Sequence, residues 1–214
     1  MRNKAIIIGA GTYAEIYSQY LSSGYDVVGF YDDNEEIHGK VINDILVIGS
    51  IRKAKEYVSA HHKTNVFIPL GNNELRFRLF NEFVKCGALT PNFIHPSVII
   101  DPTVKLGRGV YILPSSSIMP FSSIGDFTMI SMGVNIAHHT KIGEACFFSQ
   151  GTNVGASIIV EDLAYCGIAS TIMTGVKCVG KNSLIGAGAV VIRDVKPNSI
   201  VAGVPAKLLK YKAM

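Results

Sequence analysis

The sequence predicts an α/β domain followed by a parallel β-helix built from six-residue repeats. Two observations carry this prediction. Over residues 1–90, apolar runs alternate with segments of helical periodicity, the pattern of a parallel sheet covered by helices. From about Asn92 onward the helical periodicity stops, and apolar residues recur every six positions. The expected domains are therefore 1–90 and 91–214.

The front domain reads element by element. "KAIIIGA" is a continuous apolar run ending in glycine, as expected of a strand buried on both faces. "TYAEIYSQYLSSGY" follows, with Tyr13, Ile16, Tyr17, Tyr20 and Leu21 at helical spacing and Gly24 as its stop. "DVVGFYDD" is a second strand, "IRKAKEYVSAHH" a helix, and "NVFIPLG" a third strand. "NELRFRLFNEFVKCG" is a further helix ending at Gly87. Parallel pairing of these strands requires right-handed crossovers.

"GAGTYA", Gly9 to Ala14, follows a buried strand and opens a helix. That is the setting in which a Gly-rich loop lets a pyrophosphate approach the backbone at a helix N-terminus. Asp32 and Asp33 end the second strand about twenty residues later, where an acidic side chain reads a nucleotide. These features alone fit an NAD site. But the domain ends near residue 90, which leaves no second mononucleotide half for a nicotinamide.

In the second domain Val98, Val104 and Val110 start the six-residue series. After a two-residue slip it resumes at Ile118 and runs through Ile124, Ile130, Ile136, Ile142, Phe148, Val154, Val160 and Cys166 to Ile172. One further residue of slip gives Val179, Ile185 and Val191. Four positions after an anchor the residue is small or β-branched, as at Ser122, Thr128, Thr140, Ser170 and Ala189. Three hexads close one triangular coil, so the series makes about five coils, each rising about 4.8 Å. Anchors point into the prism and small residues fit its corners. A β-sandwich would instead show period-two strands with irregular turn spacing.

Composition narrows the function classes. With 48% hydrophobic and 17% charged residues, the chain is globular rather than disordered. The longest apolar runs, such as "AIII" and "AVVI", are too short to span a bilayer. No basic, apolar and small-residue succession marks a secretory signal, so a cytoplasmic protein is expected. A net charge of +4 without a stripe of Lys and Arg argues against nucleic acid as a partner. Cys86, Cys146, Cys166 and Cys178 lack metal-ligand spacing and read as buried free thiols. Of the two histidine pairs, His61-His62 in "VSAHHKTN" reads as solvated. His138-His139 in "NIAHHTKIGEAC" falls within the repeats, where a turn residue on a corner is the ordinary reading.

The hexads, the exit sequence "IVAGVPAKLLK" and the leading "IIIGAGTYAEIY" and "VVGFYDDN" together resemble the sugar acyltransferase family related to sialic-acid O-acetyltransferases. Within it they are most similar to bacterial nucleotide-linked 4-amino-sugar N-acetyltransferases, such as those making bacillosamine, perosamine or viosamine derivatives. The resemblance covers nearly the whole chain. The front α/β domain is its discriminating feature, because hexads are shared with other acyltransferases and some carbonic anhydrases. A zinc site of the latter kind needs three histidines; the repeats hold only His95, His138 and His139, and adjacent rings do not easily converge on one metal.

The resemblance implies a left-handed β-helix and a homotrimer with acyl-CoA lying between neighbouring subunits. It also implies acetyl-CoA as co-substrate, no metal, and transfer to the 4-amino group of a nucleotide-linked 4-amino-4,6-dideoxy sugar in surface-glycan (lipopolysaccharide O-antigen) biosynthesis. The alternative is O-acetylation of a sialic-acid-like hydroxyl. A trimer also suits flat prism faces that carry outward apolar side chains.

The family's catalytic histidine lies six residues before the glutamate of "H-x-x-x-I-G-E", the place His138 takes in "HHTKIGE". The implied role is general base for the sugar amine, which suits a side chain with an ordinary pKa of about 6.5. A thioester is already activated, so direct attack without a protein nucleophile is expected. His139, counted with it in the catalytic pair, stands where relatives carry a carboxylate. Phe147 stands where some relatives have a cofactor-contacting histidine, and Ile168 and Gly186 fall at other positions lining the CoA groove. Gly11, Thr12, Tyr13, Asp32, Asp33 and Gly71 of "PLGNNELR" are assigned to the nucleotide sugar, with Tyr13 where some relatives have histidine.

Overall fold

A computed structural model describes residues 3–212. The chain divides into two compact units, Met1–Pro91 and Asn92–Met214. The first holds a five-stranded sheet: β1 (Asn3–Ile8), β2 (Tyr25–Tyr31), β3 (Val41–Ile42), β4 (Ile45–Gly49) and β5 (Asn65–Phe67), in the order β3-β4-β2-β1-β5. β1 lies inside the sheet between β2 and β5, and Ala5 to Ile8 are fully buried, which is why this strand reads as an unbroken apolar run. Three helices accompany the sheet: α1 (Thr12–Leu21), α2 (Ile51–Ala60) and α3 (Asn73–Lys85). Ser50 caps α2 through the Lys53 amide, and Asn72 caps α3 through the Leu75 amide. Gly87 takes φ +89° just beyond α3, the left-handed stop that glycine accepts without strain.

The structure differs from the sequence reading in three places here. α1 buries Ala14, Tyr17, Ser18 and Leu21, whereas Ile16 is 46% exposed. The buried stripe therefore runs one step away from the expected aromatic one. Ser18 is tolerated on it because its hydroxyl donates to the Glu15 carbonyl at 2.7 Å. β5 stops at Phe67, and the expected extension to Gly71 is irregular, with Pro69 unable to donate to a ladder. The β3–β4 hairpin was not expected. It turns on Asn43 and Asp44, both in the left-handed region (φ 48° and 61°), the pairing that favours a tight two-residue turn.

The second unit is a left-handed parallel β-helix of two-residue strands in three faces. The first face contains Ser117–Ile118, Asn135–Ile136, Asn153–Val154 and Thr171–Ile172; the second contains Ser123–Ile124, Lys141–Ile142 and Ile159–Val160. The third contains Met129–Ile130, Phe147–Phe148, Tyr165–Cys166 and Leu184–Ile185, and is closed by the antiparallel pair Ser199–Ala202 and Lys207–Tyr211.

The expected two-residue slip before Ile118 does not exist. Ile118 pairs with Ile100, Ile124 with Leu106, and Ile130 with Ile112, so the anchors keep a six-residue register from Ile94. Val98, Val104 and Val110 occupy the corner position instead. Both positions face inward and both accept aliphatic residues, so the sequence allowed either phase. The later one-residue slip is real. The turn between Ile172 and Val179 holds an extra residue around Gly175, whose φ is +103°.

Corner residues of the middle coils are buried, and several of the polar ones share a repeating hydrogen bond, whereas the Ser170 and Ser183 hydroxyls further along have no partner among the described residues. Ser122, Thr128 and Thr140 donate to the carbonyls of Ala137, Gly143 and Gly155 at 2.9–3.0 Å. Each hydroxyl thus bonds the coil that follows, the condition under which a buried hydroxyl is not destabilising.

The outward positions meet the expectation on the third face, which presents Tyr111, Met129, Phe147, Tyr165 and Leu184, and depart from it on most of the first. The first face presents Ser117, Asn135, Asn153 and Thr171, with Asn135 Nδ2 donating to Asn153 Oδ1 at 2.9 Å. Exposed apolar side chains gather mainly on edges: Met119, Phe121, Met173 and Ile192 between the first and second faces, Met132 and Ile168 between the third and first.

Candidate functional site

His138 and His139 occupy the turn between the first and second faces. Three successive coils bend here through a residue in the left-handed region, with Phe121 (φ 63°), His139 (φ 59°) and Ser157 (φ 60°) stacked in that position. Backbone bonds fix the turn from both sides. The His139 amide donates to the Pro120 carbonyl at 3.1 Å, and the Ser157 amide donates to the His138 carbonyl at 3.0 Å. The two rings stand at 90° with their Nδ1 atoms 3.0 Å apart, and the Phe121 ring backs His139 at 4.9 Å. Both imidazoles are exposed.

Glu144, the glutamate of the motif, lies one corner further on. Partial burial holds its carboxyl above the usual range, and the neighbouring carboxylates of Asp126 and Asp162 push the same way.

Ile168 and Gly186 lie on the opposite edge of the first face. Ile168 is 55% exposed, and its carbonyl accepts from the Gly188 amide at 2.8 Å. A Cβ on Gly186 would come within 2.8 Å of the Ala202 Cβ, so the close approach of these coils requires glycine there. Phe147 belongs to the third face, is 2% exposed, and stacks on Tyr165 with centroids 5.1 Å apart and planes 5° from parallel. Within one chain the structure does not bring these three residues to His138; they stand on other sides of the prism.

The front unit gathers its predicted residues at the carboxyl ends of its parallel strands, where an open α/β sheet forms a crevice. Gly9 has φ +91°, and its amide donates to the Tyr31 carbonyl at 2.8 Å. Gly11 opens α1 without any capping side chain, and a Cβ there would meet nothing within 4 Å. Thr12 follows it as the first helical residue and is exposed. Tyr13 lies beside Gly71, whose Cβ would come within 3.7 Å of the Tyr13 ring.

Asp32 and Asp33 carry a role the sequence did not reveal. Asp32 accepts from the amides of Ala10 and Asn34, both at 2.9 Å, and Asp33 accepts from the Ile51 amide at 2.9 Å at the start of α2. The two carboxylates tie the Gly-rich loop and α2 to the end of β2. They border a cavity of about 600 Å³ that also meets Gly9, Leu70, Arg52, Lys55 and Arg78. Those cations were not singled out from sequence; Arg52 and Lys55 stand near the start of α2, and Arg78 lies in the second turn of α3. Glu82 pairs with Lys55 and Arg78.

The PglD N-terminal domain model matches residues 4–83. A putative acetyltransferase of Saccharomyces cerevisiae, YJL218W, is 30% identical over 158 residues, which is 70% of this chain and 76% of the yeast protein. The bifunctional protein GlmU of Thermotoga maritima is 33% identical over 130 residues, 55% of this chain but only 28% of GlmU. This chain thus spans little more than a quarter of that relative's length. Among solved structures, PerB from Caulobacter crescentus, in complex with CoA and GDP-perosamine, superposes with a TM-score of 0.89 at 28% identity over 98% of both chains. PerB variants with one histidine changed to alanine or asparagine have been solved with the same ligands. WeeI from Acinetobacter baumannii gives a TM-score of 0.80 at 26% identity, covering 97% of this chain and all of WeeI. With both its front domain and its repeats matched in this way, the chain belongs to the sugar acyltransferase family of the hexapeptide-repeat superfamily.

Proposed function

We propose that the protein moves an acetyl group from acetyl-CoA to the 4-amino group of a nucleotide-linked 4-amino-4,6-dideoxy sugar destined for surface glycan. The observation that carries this reading is the match to PerB across 98% of both chains, front domain and β-helix alike. In the reaction the amine nitrogen attacks the thioester carbonyl, a C–N bond forms, and the C–S bond breaks. CoA leaves as a thiolate that takes up a proton, and the proton lost by the amine passes to His138. A base of this kind accelerates such a step by about 10²–10⁴-fold.

The nucleotide sugar enters the crevice of the front unit, with its phosphates against the Gly9–Tyr13 loop and Gly71 and its nucleoside near Asp32 and Asp33. The open space over Gly11 supports this assignment, because a backbone without a Cβ lets phosphate oxygens approach α1. The CoA groove runs past Ile168 and Gly186, while Phe147, expected to line it, is 2% exposed and packed on Tyr165. These residues and His138 stand on different sides of the prism. One complete site therefore requires two subunits, the edge of one meeting the opposite edge of the next around a three-fold axis. The apolar edge residues Met119, Phe121, Met132, Ile168, Met173 and Ile192 supply the surface for that contact.

The test is an acyl-transfer assay with acetyl-CoA against UDP-, GDP- and dTDP-linked 4-amino sugars and free sialic acid. Turnover of one nucleotide-linked amino sugar is expected. Turnover of sialic acid alone would establish the O-acetyltransferase reading in its stead.

A further inference from the structure

We propose that His139 is a positioning residue that fixes the tautomer of His138. The inference rests on the reading of His138 as the base. Its observation is the 3.0 Å separation of the two Nδ1 atoms in perpendicular rings. Two imidazole nitrogens at this distance share one proton, since one must donate and the other accept. If His138 Nδ1–H donates to a bare Nδ1 on His139, Nε2 of His138 carries the lone pair and is the proton-accepting atom. The opposite polarity would leave Nε2 of His138 protonated and unable to act as a base.

Only the first polarity strengthens during the reaction. When His138 takes the amine proton at Nε2, its Nδ1–H becomes a cationic donor and the bond to His139 becomes charge-assisted. An interaction that tightens as the proton arrives lowers the barrier rather than merely holding the ground state.

The surroundings make His139 the available partner. The turns stacked on either side, 119–122 and 155–158, contain no ionisable side chain, and on the same coil the nearest charged residues in sequence are Lys141 and Glu144. His139 is held by its bond to Pro120, by its left-handed φ, and by the Phe121 ring at 4.9 Å.

The test compares His139→Ala with His139→Asn and reads the His138 tautomer by 15N nuclear magnetic resonance. Alanine is tolerated at this turn position, because Ala145 and Ala169 hold it elsewhere at φ 50° and 54°. Asparagine also accepts the left-handed region and offers a side-chain oxygen to His138. Wild-type protein should show His138 protonated at Nδ1. His139→Ala should lower kcat by about tenfold or more with both KM values unchanged, and His139→Asn should recover most of the loss. His138 protonated at Nε2 in the wild type, or a His139→Ala kcat equal to wild type, overturns the proposal. The resonance measurement needs no turnover, so its outcome does not depend on the identity of the substrate; a fully active His138→Ala would instead overturn the base assignment.

Discussion

Asp32 Oδ2 accepts a hydrogen bond from the Ala10 amide at 2.9 Å and ties the Gly-rich loop to the end of β2. Its other oxygen accepts from the Asn34 amide. Asp32→Ala leaves both amides without this partner, and a lost charged acceptor costs about 1–3 kcal/mol. Chemical denaturation should show a loss of that size, together with a raised KM for the nucleotide sugar. A variant as stable as wild type would mean that the loop holds its shape without the carboxylate.

Gly9 and Gly11 should respond differently to the same substitution. Gly9→Val forces a Cβ to within 2.7 Å of Leu70 Cδ2 at φ +91°, so it should lower the melting temperature. At Gly11 an added Cβ meets nothing within 4 Å in the chain itself, so Gly11→Val has open space. It should fold normally, raise KM for the nucleotide sugar and leave KM for acetyl-CoA unchanged. Unchanged kinetics for Gly11→Val would remove the phosphates from this loop.

His138→Ala should lose about 10²–10⁴-fold in kcat while keeping its affinity for acetyl-CoA, because a general base acts in the transition state. Steady-state kinetics with calorimetry of acetyl-CoA binding provide the check. Retention of more than about a tenth of wild-type turnover would be too much for loss of the base.

A trimer is expected in solution, and light scattering measures it directly. Ile168→Asp and Met173→Glu put charges on opposite edges of the first face, at exposed side chains whose change leaves the prism core intact. Each should dissociate the assembly and abolish turnover. A monomeric wild type with full activity would sink the shared-site arrangement.

Glu144→Gln should stabilise the protein at neutral pH. Burial, Asp126 and Asp162 raise the folded-state pKa of Glu144, so the folded chain holds this proton more tightly than the unfolded chain does. Ionisation above the unfolded value of about 4.3 therefore costs stability, and the penalty disappears as pH falls below it. The melting temperature of Glu144→Gln should exceed that of wild type at pH 7 and match it near pH 3. Added salt should shrink the gap, since the side chain is exposed.

The architecture was legible in the chain alone. Strands buried on both faces read as unbroken apolar runs, and a prism of stacked coils can repeat only if its inward residues repeat. "KAIIIGA" and the series from Ile118 to Ile172 therefore announced their elements without coordinates. What remained hidden depended on contacts distant in the chain. The phase of the first coil was decided by pairing across a whole coil, Ile118 on Ile100, and not by the valines nearest in pattern. Asp32 and Asp33 looked like ligand readers from sequence, yet the folded chain brings them to the amides of Ala10 and Ile51, from other elements, which only the folded arrangement could show. The same holds for His138 and His139. Their adjacency was written in the sequence, but the left-handed turn that brings their two Nδ1 atoms to 3.0 Å is set by the coils stacked on either side.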